Sequence, residues 1–329
     1  MSAEATGRRV TWLELFFDLV FAAAVAQVAA PLREDYSAAG LMRFAILFVL
    51  IWWAWTGHAV FSTRFGSDDG VQRVLTLLQV FGVAVMAANA RDALDSRSSA
   101  GFAAAYAVLR LILVAQYGRA RSAPGARALS TWYFVGHGAA AMVWLLSSVT
   151  PTPERYWLWT LAFAIDLGTP LTAVRHNVSL PPDAAHLPER FGLFTLILLG
   201  ESVVAVMHGI EHQEYWSVPA ASAAFAGMGT AFFIWWWYFI AANATAAQPV
   251  SSHRDAIRLH AWSYAHLPLY LGLVIGFVGI QLVVSTAPAP ALNAPQVAWL
   301  VIALGVTAVS IATISRASGP RALIVSREP

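Results

Sequence analysis

The sequence predicts an all-α fold: a polytopic membrane helix bundle of about ten transmembrane helices, forming one integral membrane domain over residues 1–329. Three observations predict it. Hydrophobic residues make up 58% of the chain and charged residues 12%, about half the charge expected of a soluble domain. Apolar windows of about twenty residues, the length that crosses a bilayer, recur from end to end. The loops between them are short and leave no room for a soluble catalytic domain.

Each window has its own polar signature. The first, roughly 11–30, places Glu14 and Asp18 four residues apart on one helix face. Those acids interrupt the apolar core that a cleaved signal peptide needs, so the segment reads as a retained helix. The second, 41–61, opens at Arg43-Phe44 and carries Trp52, Trp53, Trp55 and His58. The third, 71–90, closes on Ala87-Ala88-Asn89-Ala90 and adds no ionisable group at depth. The fourth, 101–119, holds Arg110; the fifth, 130–149, holds His137 and Trp144; the sixth, 156–174, holds Asp166. The seventh, 189–208, holds Glu201, with His186, Glu189 and Arg190 at its mouth. The eighth, 218–243, contains Trp235-Trp236-Trp237 and a small-residue step at Ala223/Gly227. The ninth, 257–285, carries His260 and His266, and its Gly272/Gly276 step marks a close helix contact. The tenth, 296–315, adds no ionisable group.

Every basic side chain apart from histidine is Arg. With the N-terminus inside, fourteen arginines fall in inner loops and five in outer ones, the asymmetry expected of a chain with an even number of spans and both termini cytoplasmic. This places the protein in the cytoplasmic (inner) membrane as a multi-pass protein. The basic pI follows from the same bias and does not imply nucleic-acid binding. The absence of Cys excludes disulfides and thiolate metal sites. The absence of Lys, and of a GxxxxGK[ST] run, excludes a retinal Schiff base and a phosphate-gripping loop. Nothing in the sequence names a cofactor.

The two halves, 1–150 and 151–329, resemble each other faintly. Phe17-Asp18-Leu19 parallels Ile165-Asp166-Leu167, Arg43-Phe44 parallels Arg190-Phe191, and Ala87-Ala88-Asn89-Ala90 parallels Ala241-Ala242-Asn243-Ala244. Five-helix repeats of opposite orientation are common in secondary transporters; chance matching in Ala- and Leu-rich sequence is the alternative.

Counted at ~1.5 Å per residue from each helix start, Asp18, Arg110, His137, Asp166, Glu201 and His266 lie near mid-depth, with Glu14, His58 and His260 nearer the inner surface. Four acids (Glu14, Asp18, Asp166, Glu201) then face a single buried Arg. Full ionisation would leave uncompensated charge, so some of these acids are expected to be protonated, paired with protonated His, or bound to a cation. The plainer alternative is that these groups only hydrogen-bond helices together; six groups on six helices at similar depth favour function. Arg110 is expected to be the counter-ion of one acid.

Trp12, Trp132, Trp157, Trp159, Trp216, Trp262 and Trp299 lie near helix ends as an interfacial belt would. The deeper Trp residues serve packing or lipid contact, or line a cavity for an apolar or cationic ligand. His208-Gly209-Ile210-Glu211-His212 matches the HxxEH pattern, but it has no obvious third ligand and is read as no metal site. Asp68-Asp69 reads as a solvated turn, and Asn177-Val178-Ser179 lies in an inner loop.

The run Trp12-Leu13-Glu14-Leu15-Phe16-Phe17-Asp18-Leu19-Val20-Phe21, with Ala26-Gln27 beyond it, resembles the N-terminal signature of the low-temperature-requirement A (LtrA) membrane proteins. His186-Leu187-Pro188-Glu189-Arg190-Phe191-Gly192-Leu193-Phe194-Thr195, continuing to Leu199-Gly200-Glu201-Ser202, resembles their other hallmark. Length and hydropathy match across nearly the whole chain. The resemblance implies the membrane class and gives weight to Glu14, Asp18, His186, Glu189, Arg190, Gly200 and Glu201; it does not fix an activity.

The expected function is a secondary transporter or channel whose buried carboxylates handle protons or cations. The expected site comprises Glu14, Asp18, His58, Arg110, His137, Asp166, His186, Glu189, Arg190, Glu201 and His266, with Glu14, Asp18 and Glu201 converging and His186, Glu189 and Arg190 forming the inner mouth. One alternative is an intramembrane enzyme in which Asp18, Glu14 or Glu201 does acid chemistry on an isoprenoid or lipid. Another is a non-catalytic factor of the envelope. The partners are the lipid bilayer and a small ion or apolar small molecule, with oligomeric state open.

Overall fold

The computed structural model describes residues 10–318 apart from 67–68, 97, 212, 214–216, 243, 245–249 and 288–291. It is all-α, as the sequence predicts. Its helices are α1 (Trp12–Glu34), α2 (Ala38–Phe65), α3 (Gly70–Ala90), α4 (Ser99–Ala120), α5 (Arg127–Val149), α6 (Glu154–Thr172), α7 (Val174–Ser179), α8 (His186–Glu211), α9 (Val218–Trp236), α10 (His253–Thr286) and α11 (Ala294–Ala317). A π-helical turn, Trp237–Ala241, extends α9. The ten long helices correspond one to one with the ten apolar windows. The short α7 lies where the sequence suggested only an inner loop.

Polar caps set where these helices start, and so correct several expected boundaries. Thr11 and Glu14 form a capping box on α1, satisfying backbone N–H groups that would otherwise be orphaned. Ser37 starts α2 and Ser252 starts α10, a few residues ahead of the apolar windows. Asp69 caps α3, and the Gln72 N–H and the Arg119 guanidinium beside it hold its carboxyl below the ordinary range. The Asp183 carboxylate accepts from the N–H groups of Ala185 and His186. This draws the start of α8 back to His186, and Pro188 is tolerated there because it falls in the first turn.

Among the described residues nine helices are long and apolar enough to cross a membrane. The tenth long helix, α6, carries Glu154, Arg155 and Asp166 within 19 residues. Three contacts nonetheless run it along the whole of α5: Trp132 to Thr169, His137 to Asp166, and Arg155 to Ser147. The residue numbers in these pairs sum to nearly the same value, which is the register of an antiparallel hairpin.

The axis of the bundle is α2, surrounded by α1, α4, α8 and α10. Helices α1 and α8 run parallel, as do α8 and α10, whose facing residues (Phe191 with His266, Thr195 with Tyr270, Gly209 with Val284) keep a constant offset. Gly272 lies so close to Ala303 and Thr307 of α11 that a Cβ would fall 2.5 Å from Thr307 Oγ1. Gly227 meets Ile280 and Val206 in the same way. Both small-residue steps are therefore the close helix contacts the sequence suggested.

The inverted repeat is not shown. Arg43 is exposed whereas Arg190 is buried. The α1 helix packs on α3, and the corresponding α6 and α9 are not among the substantially packed pairs. Asn243 lies outside the described residues.

Candidate functional site: two buried ionic networks

The first network joins α1 to α8. Glu14 and Asp18 lie one turn apart on α1, and His186 and Arg190 lie one turn apart on α8. Because the helices are parallel, the two pairs face each other rung by rung. On the upper rung Arg190 donates to Asp18 from Nε (3.0 Å to Oδ2) and Nη2 (2.5 Å to Oδ1), a bidentate pair of the strong kind. Trp55 Nε1 donates to Asp18 Oδ1 at 2.7 Å, and Arg190 Nη1 donates to Ser62 Oγ at 3.0 Å. On the lower rung Glu14 Oε2 lies 3.4 Å from His186 Nε2 and accepts from Thr11, while Oε1 lies 3.3 Å from Arg190 Nη1. Asp18, His186 and Arg190 have no solvent exposure. The Trp55 ring stacks on Phe194 and meets Phe191 edge-on, sealing the Asp18 side.

This network has one open side. A cavity of about 30 Å³ lies where α1 begins, lined by Thr11, Glu14, His58, Ser62, Gln72 and Thr76 among others. At the opposite face a cavity of about 270 Å³ is lined by Glu34, Asp35, Arg43 and Arg91 together with Val28 and Phe44. Helices α1 and α2 wall both cavities. Between the two levels they place Phe21, Val25, Phe48 and Ile51, all buried, an apolar layer about 15 Å deep from Asp18 to Val28.

The second network joins α4, α5 and α6. Arg110 Nε lies 2.6 Å from Asp166 Oδ2, and His137 Nδ1 lies 2.6 Å from Asp166 Oδ1. Arg110 also donates from Nη2 to Tyr106 Oη at 2.7 Å and lies over that ring. Gly57 on α2 makes room for this guanidinium, since a Cβ there would fall 2.8 Å from Arg110 Nη1. The expectation that Arg110 is a counter-ion is met, and its acid is Asp166.

His266 belongs to neither network. Its ring nitrogens contact Trp262 O and Tyr238 Oη, each at 2.8 Å, so Nδ1–H donates to the carbonyl and Nε2 accepts from the phenol. The π-turn brings Tyr238 to this position. Both ring nitrogens are satisfied, which is the mark of a structural histidine. The His58 ring lies tilted against Phe17, 4.0 Å between centroids, beside the first network.

Two expectations are corrected. Glu201 does not converge with Glu14 and Asp18: it is exposed, in a groove with Arg33, Ala26 and Ala29. The reason is the parallel register, which sets Glu201 against Ala29 of α1, about 16 Å beyond Arg190. Glu189 is likewise exposed and points away from its neighbours His186 and Arg190. The charge imbalance also shrinks. Arg190 is fully buried, and the three buried carboxylates (Glu14, Asp18, Asp166) face two buried arginines, Arg190 and Arg110; a third buried arginine, Arg155, bonds instead to Ser147 and Ser99.

Among the described residues no group of three His, Cys, Asp or Glu could hold a metal ion; His212 of the HxxEH run lies outside them. Trp159 and Trp262, placed in the belt by sequence, are buried packing residues, whereas Trp12 and Trp157 are 87% and 75% exposed, as belt residues should be. Sequence reasoning missed Trp55, Ser62, Tyr106 and Gly57. A signal for the first two existed: Trp55, His58 and Ser62 follow helical spacing on one face of α2.

A family model described as bacterial low temperature requirement A protein (LtrA) matches residues 9–325. The chain is also similar to an uncharacterized protein of Rhizobium meliloti, 27% identical over 289 residues that cover 82% of this chain and 68% of that protein. No solved structure matches it.

Proposed function

The chain belongs to the bacterial low temperature requirement A (LtrA) family, as a polytopic membrane protein with buried charged residues, and we propose that it is a secondary transporter that takes up protons or cations at Glu14, His186 and Asp18. One observation carries this reading. A polar path leads from the cavity at the N-terminal face through Glu14 and His186 to the Asp18–Arg190 pair, and stops at the apolar layer of Phe21, Val25, Phe48 and Ile51. A carboxylate between a polar cavity and a sealed ion pair is positioned to exchange a proton with water. The cavity beyond the layer supplies the second side that alternating access requires.

The Arg asymmetry supports cytoplasmic termini, and in that orientation the Glu14 cavity is the inner one. The membrane partner is the lipid bilayer of the cytoplasmic membrane. The enzyme alternative draws support from His137, which Asp166 orients and which lines an aromatic cavity. Proteoliposomes separate the two. Proton- or cation-dependent flux in the wild type that Asp18→Asn abolishes, with the protein still folded, is the expected result. Absence of flux of any tested ion, combined with conversion of an added isoprenoid or lipid, would replace the transporter with the enzyme.

A further inference from the structure

The α2 helix is a partition between two polar compartments. Its Trp55, His58 and Ser62 face the first network. Its Trp53, Thr56, Gly57, Val60 and Arg64 face a separate cavity of about 60 Å³, enough for several waters or a small polar group. The walls of this second cavity are aromatic (Trp53, Tyr117, Tyr133, Tyr264), and among the described residues no Asp or Glu lines it. Its polar groups lean to donors and cations: Arg64, His137 and His260 all line it.

Arg64 makes the strongest case. Nη2 donates to Asn177 Oδ1 at 3.0 Å, and the guanidinium lies 5.6 Å from the centre of the Tyr133 ring. Nε and Nη1 are shut away from solvent without a well-aligned acceptor, and the hydroxyl beside the guanidinium, that of Tyr117, is neutral. No carboxylate among the described residues lies within ion-pairing distance of Arg64. A half-buried cation whose partners are all neutral leaves a cost that an anion would remove. His137 adds a second donor or acceptor, because Asp166 occupies Nδ1 and leaves Nε2 for the cavity side of the ring.

We propose that this cavity binds a small anionic group, a carboxylate or phosphate on Arg64 with at most a short apolar end toward Trp53 and Tyr264. The role of this anion as cargo rests on the transporter reading above; the binding itself does not. An anionic lipid headgroup and a free organic anion share this chemistry.

The test is calorimetric titration of the full chain in phosphatidylcholine nanodiscs with acetate, and with acetamide as the uncharged control. Acetate is expected to bind saturably and acetamide not. Arg64→Gln should weaken acetate by about tenfold or more, the usual worth of hydrogen bonds to a charged group. Ala256→Phe, which fills the cavity from α10 without changing charge, should abolish binding and decides the matter if Arg64→Gln fails to fold. Displacement of acetate by phosphatidylglycerol assigns the site to a lipid headgroup; indifference to that lipid assigns it to a free anion. Equal binding of acetate and acetamide, or no effect of either variant, overturns the proposal, as does the absence of an acetate isotherm. Acetate binding without proton-dependent flux would remove the transporter reading and leave the site standing. Proton flux without acetate binding would do the reverse.

Discussion

Asp18 on α1 and Arg190 on α8, 172 residues apart in sequence, form a two-bond ion pair with no solvent exposure on either side chain. Each of the two longest motifs in the sequence supplies one half of it, so the pair ties together the two ends of the chain's recognisable pattern. Removing Arg190 leaves Asp18 buried without a counter-ion, whereas removing Asp18 still leaves Glu14 3.3 Å from Arg190 Nη1.

Arg190→Gln should therefore destabilise the protein by about 3–5 kcal/mol, the usual cost of breaking a buried pair from one side. The double variant Asp18→Leu/Arg190→Met should recover most of that loss, because it removes both charges together. Thermal unfolding in detergent, followed by Trp fluorescence, compares the two.

Gly57→Ala should cost about 1–3 kcal/mol by overpacking, since its Cβ would meet Arg110 Nη1 at 2.8 Å and Leu113 Cδ2 at 3.2 Å. Gly138→Ala, where nothing lies within 4 Å, should be neutral or slightly stabilising. The same unfolding assay should separate them clearly.

The ten helices were legible because each is an apolar run of bilayer length, and Glu14 with Asp18 because acids are costly there. What escaped was height. Glu201 lies on the flank of α8 that faces α1, as Arg190 does, and only the parallel register shows that it sits against Ala29 rather than Asp18. Arg190 is expected only at the inner mouth because the Asp183 cap, which pulls the start of α8 back to His186 and sinks Arg190 one turn deeper, is a loop side chain with no periodic signal. Gly57 carried no signal at all: its meaning lies in a guanidinium that reaches it from α4.

Glu201→Gln should leave proton- or cation-dependent flux close to wild type, whereas Asp18→Asn and Glu14→Gln should abolish it. An amide keeps the size and hydrogen bonding of the acid but not its ionisable proton. Measuring all three in proteoliposomes tests the corrected site directly; loss of flux in the Glu201 variant alone would put the proton path on the other end of α8.

The chain has no cysteine, so single-cysteine variants need no background correction. Thr76→Cys, in the Glu14 cavity, should react with a membrane-impermeant thiol reagent from the cytoplasmic side. Ile51→Cys, in the apolar layer, should not react from either side. Labelling of Thr76→Cys only from outside would invert the topology, and a reporter fused after residue 329 provides the independent check.

The two rungs between α1 and α8 also have a mechanical consequence. Arg190 already touches both acids, at 2.5 Å from Asp18 Oδ1 and 3.3 Å from Glu14 Oε1. A slide of α8 by one turn, about 5.4 Å, toward the N-terminal face would pass the guanidinium from the upper acid to the lower one. At no point in that handover would it lack a carboxylate, so in such a slide the ladder would act as a ratchet with two occupied notches. Asp18, once released, would be left to hold a proton of its own.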